Sequence, residues 1–223
     1  MNSKPPIQTT TAASRINAVD LLRGLVMIVM ALDHTRDWLH VSALTQSPTD
    51  LATTTPLLFF TRWVTYFCAP IFVFLAGTSA YLSAKTQPDL AAARRRLWLR
   101  GLWLVVLEFT LVNFAIWFDP KFRTFLFQVI AAIGFSFIAL ALLLKLSPKI
   151  IGLIGATIIF GHGLLPLLPL GNNWPLRLVL SPLFALTPYQ LAPQLTLVIA
   201  YPLIPWLGIL LAGFAAGQFF ERA

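Results

Sequence analysis

Residues Val19 to Trp38 read VDLLRGLVMIVMALDHTRDW, a run long enough to cross a bilayer that nevertheless carries Asp20, Arg23, Asp33, His34, Arg36 and Asp37. A helical crossing needs about 20 mostly apolar residues. Each charged side chain inside the hydrocarbon layer costs roughly 2.5–3.5 kcal/mol on insertion scales, so such groups face protein or a watery cavity and mark a functional path. The first helix is therefore read as a site as well as a span.

The remainder of the chain supports a polytopic membrane protein. Hydrophobic residues make up 58% of it and charged residues 11%, against roughly 25% charged in an ordinary soluble domain. Six apolar runs stand out: Val19 to Trp38, Leu57 to Ser83, Leu97 to Phe118, Thr124 to Leu144, Ile150 to Leu170 and Leu195 to Phe219. Barrel strands are about ten residues long with alternating polarity, which these runs lack. The expectation is an all-α bundle of about six transmembrane helices, residues 15–223, behind a polar, Thr-rich tail, residues 1–14, too poor in apolar surface to order itself. Asn172 to Pro193 holds four prolines and short apolar pieces, the pattern of an interfacial or re-entrant loop. A cleavable leader is disfavoured, because Asp20, Arg23, Asp33 and His34 interrupt the apolar region such a signal requires.

The net charge of +8 reports orientation rather than nucleic-acid binding. With the N-terminus inside, Lys4, Arg15, Lys85, Arg94, Arg95, Arg96, Arg100, Lys145, Lys149 and Arg222 fall on one side. Arg36, Arg62, Lys121, Arg123 and Arg177 fall on the other. The excess follows the positive-inside rule and places both chain ends in the cytoplasm. Arg94, Arg95 and Arg96 are also a candidate seat for the phosphates of a cofactor or an anionic lipid headgroup. Cys68 is the only cysteine, so no intrachain disulfide forms. No residue set is read as a metal site.

On a helix, residues three and four apart share a face. Asp20, Arg23, Met27, Met30, His34 and Asp37 follow those steps, giving one stripe charged at both ends. Asp20 and Arg23 can pair at one end, and His34 and Asp37 at the other. The fourteen steps from Asp20 to His34 span roughly 21 Å, so one elongated ligand could touch both. His34 is the first catalytic candidate, since an imidazole takes and returns a proton near neutral pH and a carboxylate such as Asp37 can orient it. Asp33 points about 100° away and can pair with Arg36. The plainer alternative is that Asp33, His34, Arg36 and Asp37 are only the wet end of the helix.

Three further features invite structural or functional readings. Glu108 lies mid-span with Asn113 beyond it, and that carboxylate is expected to be neutral or paired with a base such as Arg23, a structural role ahead of direct catalysis. His162 lies between Gly161 and Gly163, where close packing and function are equally open. Gly77, Thr78 and Ser79, and the G-x-x-x-G of Gly213 and Gly217, suit helix association within the bundle or between the chains of a homodimer.

The order of the segments R-I-N-A-V-D-L-L-R-G-L-V-M-I-V-M-A-L-D-H, F-V-F-L-A-G-T-S-A-Y-L-S, R-R-R-L-W-L-R-G and Y-P-L-I-P-W-L-G-I-L-L-A-G-F-A-A-G, from Arg15 to Gly217, resembles the catalytic domain of heparan-α-glucosaminide N-acetyltransferase and its bacterial relatives. The resemblance implies an acyltransferase of the bacterial inner membrane that takes acetyl from cytoplasmic acetyl-CoA and delivers it to a glycan acceptor, on an amine or hydroxyl, at the far side. It implies Asp20, Arg23, Arg94, Arg95 and Arg96 around the donor, and His34, His40, Asp33 and Asp37 around the chemistry. Lining up Val19-Asp20 and Arg23-Gly24 with the lysosomal member of the family sets an asparagine opposite His34 and the active-site histidine farther on, in the loop where His40 lies. The Asp-His at the helix end in the bacterial pattern points to His34. Such enzymes continue for several spans beyond the Pro-Trp-Leu-Gly helix, so the resemblance also implies a truncated or minimal version. The rival classes are a secondary transporter, for which charged residues in helices are equally expected, and a non-catalytic membrane partner. No second copy of D-x-x-R-G marks the paired halves many transporters show.

Overall fold

The computed structural model describes residues 17–39, 41, 46–167, 183 and 187–220. The tail, His40 and most of the Pro-rich stretch from Asn172 lie outside the described residues. Among the described residues six helical rods form the bundle: α1 (Asn17–Leu39); α2 (Pro56–Thr65) continuing into α3 (Cys68–Lys85); α4 (Leu90–Leu107), prolonged by a π turn at Glu108–Val112 into α5 (Asn113–Trp117); α6 (Val129–Leu143); α7 (Pro148–Gly161); and α8 (Leu203–Ala216). Three segments, Pro56–Lys85, Leu90–Trp117 and Leu203–Phe220, are each long and apolar enough to cross a membrane.

Helix starts follow capping chemistry. Thr55 Oγ1 accepts from the Leu58 amide ahead of Pro56, Asp89 accepts from the Ala92 amide, and Ser147 accepts from the Ile150 amide ahead of Pro148. Each side-chain oxygen satisfies an amide that the helix itself leaves unpaired, and proline suits the first turn. The Gln128 side chain makes no such bond to α6.

The chain is mostly helical, as expected, but a helix-only reading misses a three-stranded sheet of β1 (Thr124–Phe127), β2 (Thr187–Ala192) and β3 (Leu195–Ile199) in the order β1-β3-β2. Strand β1 runs parallel to β3, pairing Thr124 with Thr196 through Phe127 with Ile199, and β2 runs antiparallel to β3. Two apolar runs read as continuous spans thus begin as strands. Composition explains the misreading: TFLF and LTLVI are rich in β-branched and aromatic residues, and a short apolar run has no periodicity to separate strand from helix. The described end of the Pro-rich stretch, Thr187–Ala192, is strand β2.

Helices α3, α7 and α8 pack closely around Val73, Tyr81, Phe137, Leu140, Ile151, Leu210, Leu211 and Phe214. At the α3–α8 crossing a Cβ on Gly77 would collide with the Leu210 carbonyl oxygen, and one on Gly213 with that of Phe74. Thr78 Oγ1 donates to the Gly213 carbonyl at 3.0 Å. The glycine and threonine pattern is a helix contact inside one chain, the small-residue packing expected of membrane helices. A smaller cluster of Phe127, Ala131, Ala132 and Ile199 joins the sheet to α6.

Candidate functional site

A cavity of about 380 Å³ opens at the end of the bundle where α1 finishes. Met30, Asp33 and His34 of α1, Arg62 and Thr65 of α2, and Tyr66, Cys68 and Ala69 form one side. Gln128 and Val129 at the start of α6, and Ala200, Tyr201 and Trp206 before and within α8, form the other. The sheet builds this second side, because β1 leads into Gln128 and β3 into Ala200. Its volume lies within the range of small-molecule pockets, and it combines aromatic walls with a few polar groups.

The polar side is a four-membered ion cluster. Arg62 Nη1 donates to both carboxylate oxygens of Asp33, each at 2.9 Å, and approaches Asp37 Oδ2 at 3.8 Å. Arg36 donates to Asp33 and, at 2.8 Å, to Asp37. The Arg62 guanidinium also lies over the Tyr66 ring, 4.5 Å from its centroid. Two guanidiniums against two carboxylates neutralise the charge, and forked Arg–carboxylate bonds fix geometry. The cluster ties α1 to α2.

The residues read from the sequence separate accordingly. Asp33 pairs with Arg36 as its spacing suggests. Asp37 serves Arg36 rather than orienting His34; a guanidinium offers several charge-assisted donors and wins the carboxylate. His34 is exposed, borders the cavity, and makes no hydrogen bond among the described residues. The stripe of charged and Met residues is split, because the more buried face of α1 carries Val19, Arg23, Val26, Met30, Asp33 and Arg36, while Asp20, Met27, His34 and Asp37 are exposed, His34 at the rim of the cavity. No ion pair joins Asp20 to Arg23 among the described residues. His40 lies outside them.

At the opposite end of α1, Arg23 and Arg96 lie within electrostatic reach of Arg100, whose guanidinium also sits over the Phe137 ring at 5.3 Å. Arg95 and Arg96 are exposed, whereas Arg94 donates through Nε to the Ala141 carbonyl at 3.0 Å and closes the end of α6. Among the described residues no acidic side chain pairs with these guanidiniums, and like charges gathered in this way make an anion-attracting patch. From Arg23 to His34 the rise along α1 is roughly 16 Å.

Glu108 is wholly buried, and its Oε2 accepts the Ala131 amide at 3.1 Å. It thereby caps α6 from the neighbouring helix, the task Gln128 leaves undone. Asn113 Oδ1 accepts from the Leu126 amide at 2.6 Å, and its Nδ2 donates to the Leu126 carbonyl at 3.0 Å. That carboxamide imitates a neighbouring strand along the open edge of β1, satisfying backbone groups that an apolar medium would leave stranded. Asn113 is thus fully engaged with backbone, whereas Glu108 is held through Oε2 alone: its Oε1 is buried without a hydrogen-bond partner, and no base pairs with it among the described residues. His162 stands exposed at the end of α7 with Nδ1 against the Ile159 carbonyl at 2.8 Å, and among the described residues nothing lies within 4 Å of a Cβ built on Gly161 or Gly163. Close packing there is not what the structure shows.

Arg62, Tyr66, Gln128, Tyr201 and Trp206 were not singled out from the sequence. Arg62 carried a signal, a lone guanidinium in the apolar run LLFFTRWVTYF; the others became visible only when the sheet placed them. Among the described residues no three His, Cys, Asp or Glu side chains gather as metal ligands.

No curated protein and no solved structure matches this chain. The family model described as heparan-alpha-glucosaminide N-acetyltransferase, catalytic, matches residues 15–223, and the chain belongs to that family of membrane acyltransferases.

Proposed function

We propose that this protein transfers an acetyl group from acetyl-CoA to an amine or hydroxyl of a sugar, with the reaction in the cavity bordered by His34. The observation that carries the reading is the placement of two complementary features at the two ends of α1: a cluster of Arg23, Arg96 and Arg100 suited to phosphates, and a partly aromatic cavity that His34 borders. The excess of Lys and Arg on the Arg23 side puts that end, and both chain ends, in the cytoplasm. The donor then binds from the cytoplasm and the acceptor from the opposite face of the bacterial inner membrane. The ion cluster fixes α1 against α2, so His34 is carried on a positioned helix.

As a base, His34 removes the proton from the acceptor amine or hydroxyl as that atom attacks the thioester carbonyl. The C–S bond breaks, and the departing thiolate takes a proton. As a nucleophile, the imidazole nitrogen forms the acyl bond first, releases the thiol, and passes the acetyl to the acceptor in a second step. Double-displacement kinetics and an acetylated enzyme isolated without acceptor distinguish the second course from the first.

The deciding experiment uses the full chain in lipid nanodiscs with radiolabelled acetyl-CoA and glucosamine. His34→Ala is expected to lower transfer by about 10²–10⁴-fold, and Arg23→Ala with Arg96→Ala to weaken donor binding. Full activity in His34→Ala with His40→Ala inactive would move the chemistry to His40. Full activity in both variants would sink the histidine mechanism, and absence of donor binding would sink the transferase reading.

A further inference from the structure

A second concavity, of about 480 Å³, lies beyond the sheet and is lined by Trp117, Asp119, Arg123, Thr124, Gln190, Pro193, Gln194 and Thr196. It lies at one end of strands β1 and β3 and the His34 cavity lies just past their other end, with no lining residue in common. Thr124 opens β1 on this side and Gln128 follows β1 on the other, four residues or roughly 13 Å away. We propose that this outer concavity is a second carbohydrate subsite, which holds an uncharged hexopyranose unit of an oligosaccharide whose reacting unit occupies the His34 cavity. The proposal rests on the acyl-transfer reading only for the latter occupant.

The chemistry of the walls favours a polyhydroxylated, uncharged ligand. Trp117 is 45% exposed at the end of α5, and an indole face is electron-rich and attracts the C–H face of a pyranose. Gln190 is spoken for: its amide nitrogen donates to the Ala192 carbonyl at 2.6 Å, and its carbonyl accepts from Thr196 Oγ1 at 3.0 Å. Those bonds hold the β2–β3 turn, and no hydrogen bond among the described residues occupies the Gln194 carboxamide or the Thr124 hydroxyl. Such groups both donate and accept, as paired hydroxyls require.

The remaining polar pair is arranged to present donors without net charge. Asp119 accepts from the Lys121 amide at 3.0 Å and from Arg123 Nε at 2.8 Å. That bond leaves both Arg123 Nη groups as donors on a guanidinium held by its inner nitrogen. Phe118 and Phe122, with φ of 47° and 48°, bend the loop tightly around Asp119, so these donors sit on a fixed turn. An anionic ligand would find the one cation of the wall already neutralised, and an apolar ligand would strand the amides and hydroxyls. An indole at the end of a span can also anchor in the headgroup layer, a role the experiment separates.

The test uses the full chain in nanodiscs with two probes, a β-1,4-linked N-acetylglucosamine trisaccharide for binding and a tri-glucosamine for transfer. Saturation-transfer NMR is expected to show trisaccharide binding that weakens about five- to tenfold in Trp117→Ala, the loss of an aromatic platform. Trp117→Phe, which keeps a ring, should retain most of the binding, and Gln194→Ala should weaken it by a smaller factor. Tri-glucosamine should then show a raised KM with unchanged kcat in Trp117→Ala, and glucosamine alone no change. Binding that is absent in the wild type, or equal in wild type and Trp117→Ala, overturns the subsite, and so does stronger, Trp117-independent binding of a sulfated disaccharide. If Trp117-dependent binding is present but acetyl transfer is absent, the subsite stands and the acyl-transfer reading falls. If transfer proceeds while Trp117→Ala leaves KM for tri-glucosamine unchanged, the subsite falls alone.

Discussion

The α3–α8 crossing and helix α1 are both made of largely apolar, glycine-bearing sequence, yet they are held by opposite means. At the crossing, backbone lies on backbone, with Gly77 against Leu210 and Gly213 against Phe74. Helix α1 exposes Leu21, Leu25, Ile28 and Leu32, turns a narrow face inward, and is tied at one end by Asp33, Arg36 and Arg62. Inside a membrane lipid is as apolar as leucine, so close small-residue packing, not burial from water, holds a core together. A helix tied by ion pairs instead keeps its polar side chains beside open space. The difference teaches that the rigid part and the chemical part of this bundle lie on different helices.

Glycine substitutions probe that contrast with the largest expected effect. Gly213→Val forces a side chain into the Phe74 carbonyl and is expected to destabilise the bundle by about 3 kcal/mol or more, beyond ordinary overpacking because backbone must move. On α1, a Cβ added at Gly24 would meet nothing within 4 Å, and Gly24→Ala should stabilise slightly, by up to about 1 kcal/mol, through helix propensity. Thermal unfolding in detergent measures both. Equal losses at the two glycines would erase the distinction between the helices.

The ion cluster gives the next effect. Arg62→Met leaves Asp33 with Arg36 alone; removing one partner of a buried pair costs about 3–5 kcal/mol, and exposed pairs are worth about 0–1. Arg62 and Asp33 keep side-chain exposures of 25% and 15%, so a loss of about 1–3 kcal/mol is expected between those limits. Hydrogen exchange should rise in residues 30–39 and remain unchanged across α3 and α8. Adding Asp33→Asn should restore part of the loss, and strictly additive effects of the two substitutions would show that the pair does not couple the helices.

How far these regions were legible differs for a physical reason. The core was readable from small residues at helical spacing, because Gly77, Thr78, Gly213 and Gly217 do locally what their sequence suggests. The polar end of α1 was readable as a site, but its face was not. Spacing places His34 with Asp37, whereas Arg62, distant in sequence, decides which carboxylate faces inward. The sheet was hidden inside apolar runs, since TFLF and LTLVI satisfy a membrane pattern as well as a strand. Gln128, Tyr201 and Trp206 were hidden with it, being brought to the cavity by strand pairing. Glu108 was readable as a buried carboxylate, neutral or paired with a base such as Arg23, but its partner among the described residues is the Ala131 amide at the start of α6, and the bonds of Asn113 to the edge of β1 depended on a strand that a helix-only reading lacks.

Glu108 tests whether the sheet end is held like the core or like α1. Glu108→Ala removes the acceptor of the Ala131 amide and leaves a void, with an expected loss of about 1–3 kcal/mol. Glu108→Gln keeps a carbonyl oxygen for that amide and should lose less. Tryptophan fluorescence-monitored unfolding orders the three proteins. A Glu108→Gln loss as large as that of Glu108→Ala would mean that the carboxylate charge, acting on the positive end of α6, matters more than the bond.

The smallest effect belongs to the loop after α5, which is held like α1, by polar bonds, but in the open. The Arg123 side chain, followed by the Lys121 amide, lowers the Asp119 carboxyl from 3.8 to about 2. A carboxyl depressed in the folded loop stabilises that fold when ionised. Its contribution is therefore complete above about pH 4, declines as the pH falls, and is gone below about pH 2. Exposed pairs are screened by salt, so the loop should loosen in this window while the α3–α8 core stays folded. A fluorinated Trp117, one residue from the turn at Phe118, should report a transition with its midpoint near 2 that high salt moves upward, toward the ordinary carboxyl value. Asp119→Asn should abolish the transition and leave global unfolding unchanged. If instead the whole bundle unfolds along the same curve, the loop and the core share one cooperative unit, and the division drawn between polar ties and backbone packing does not extend to the sheet end.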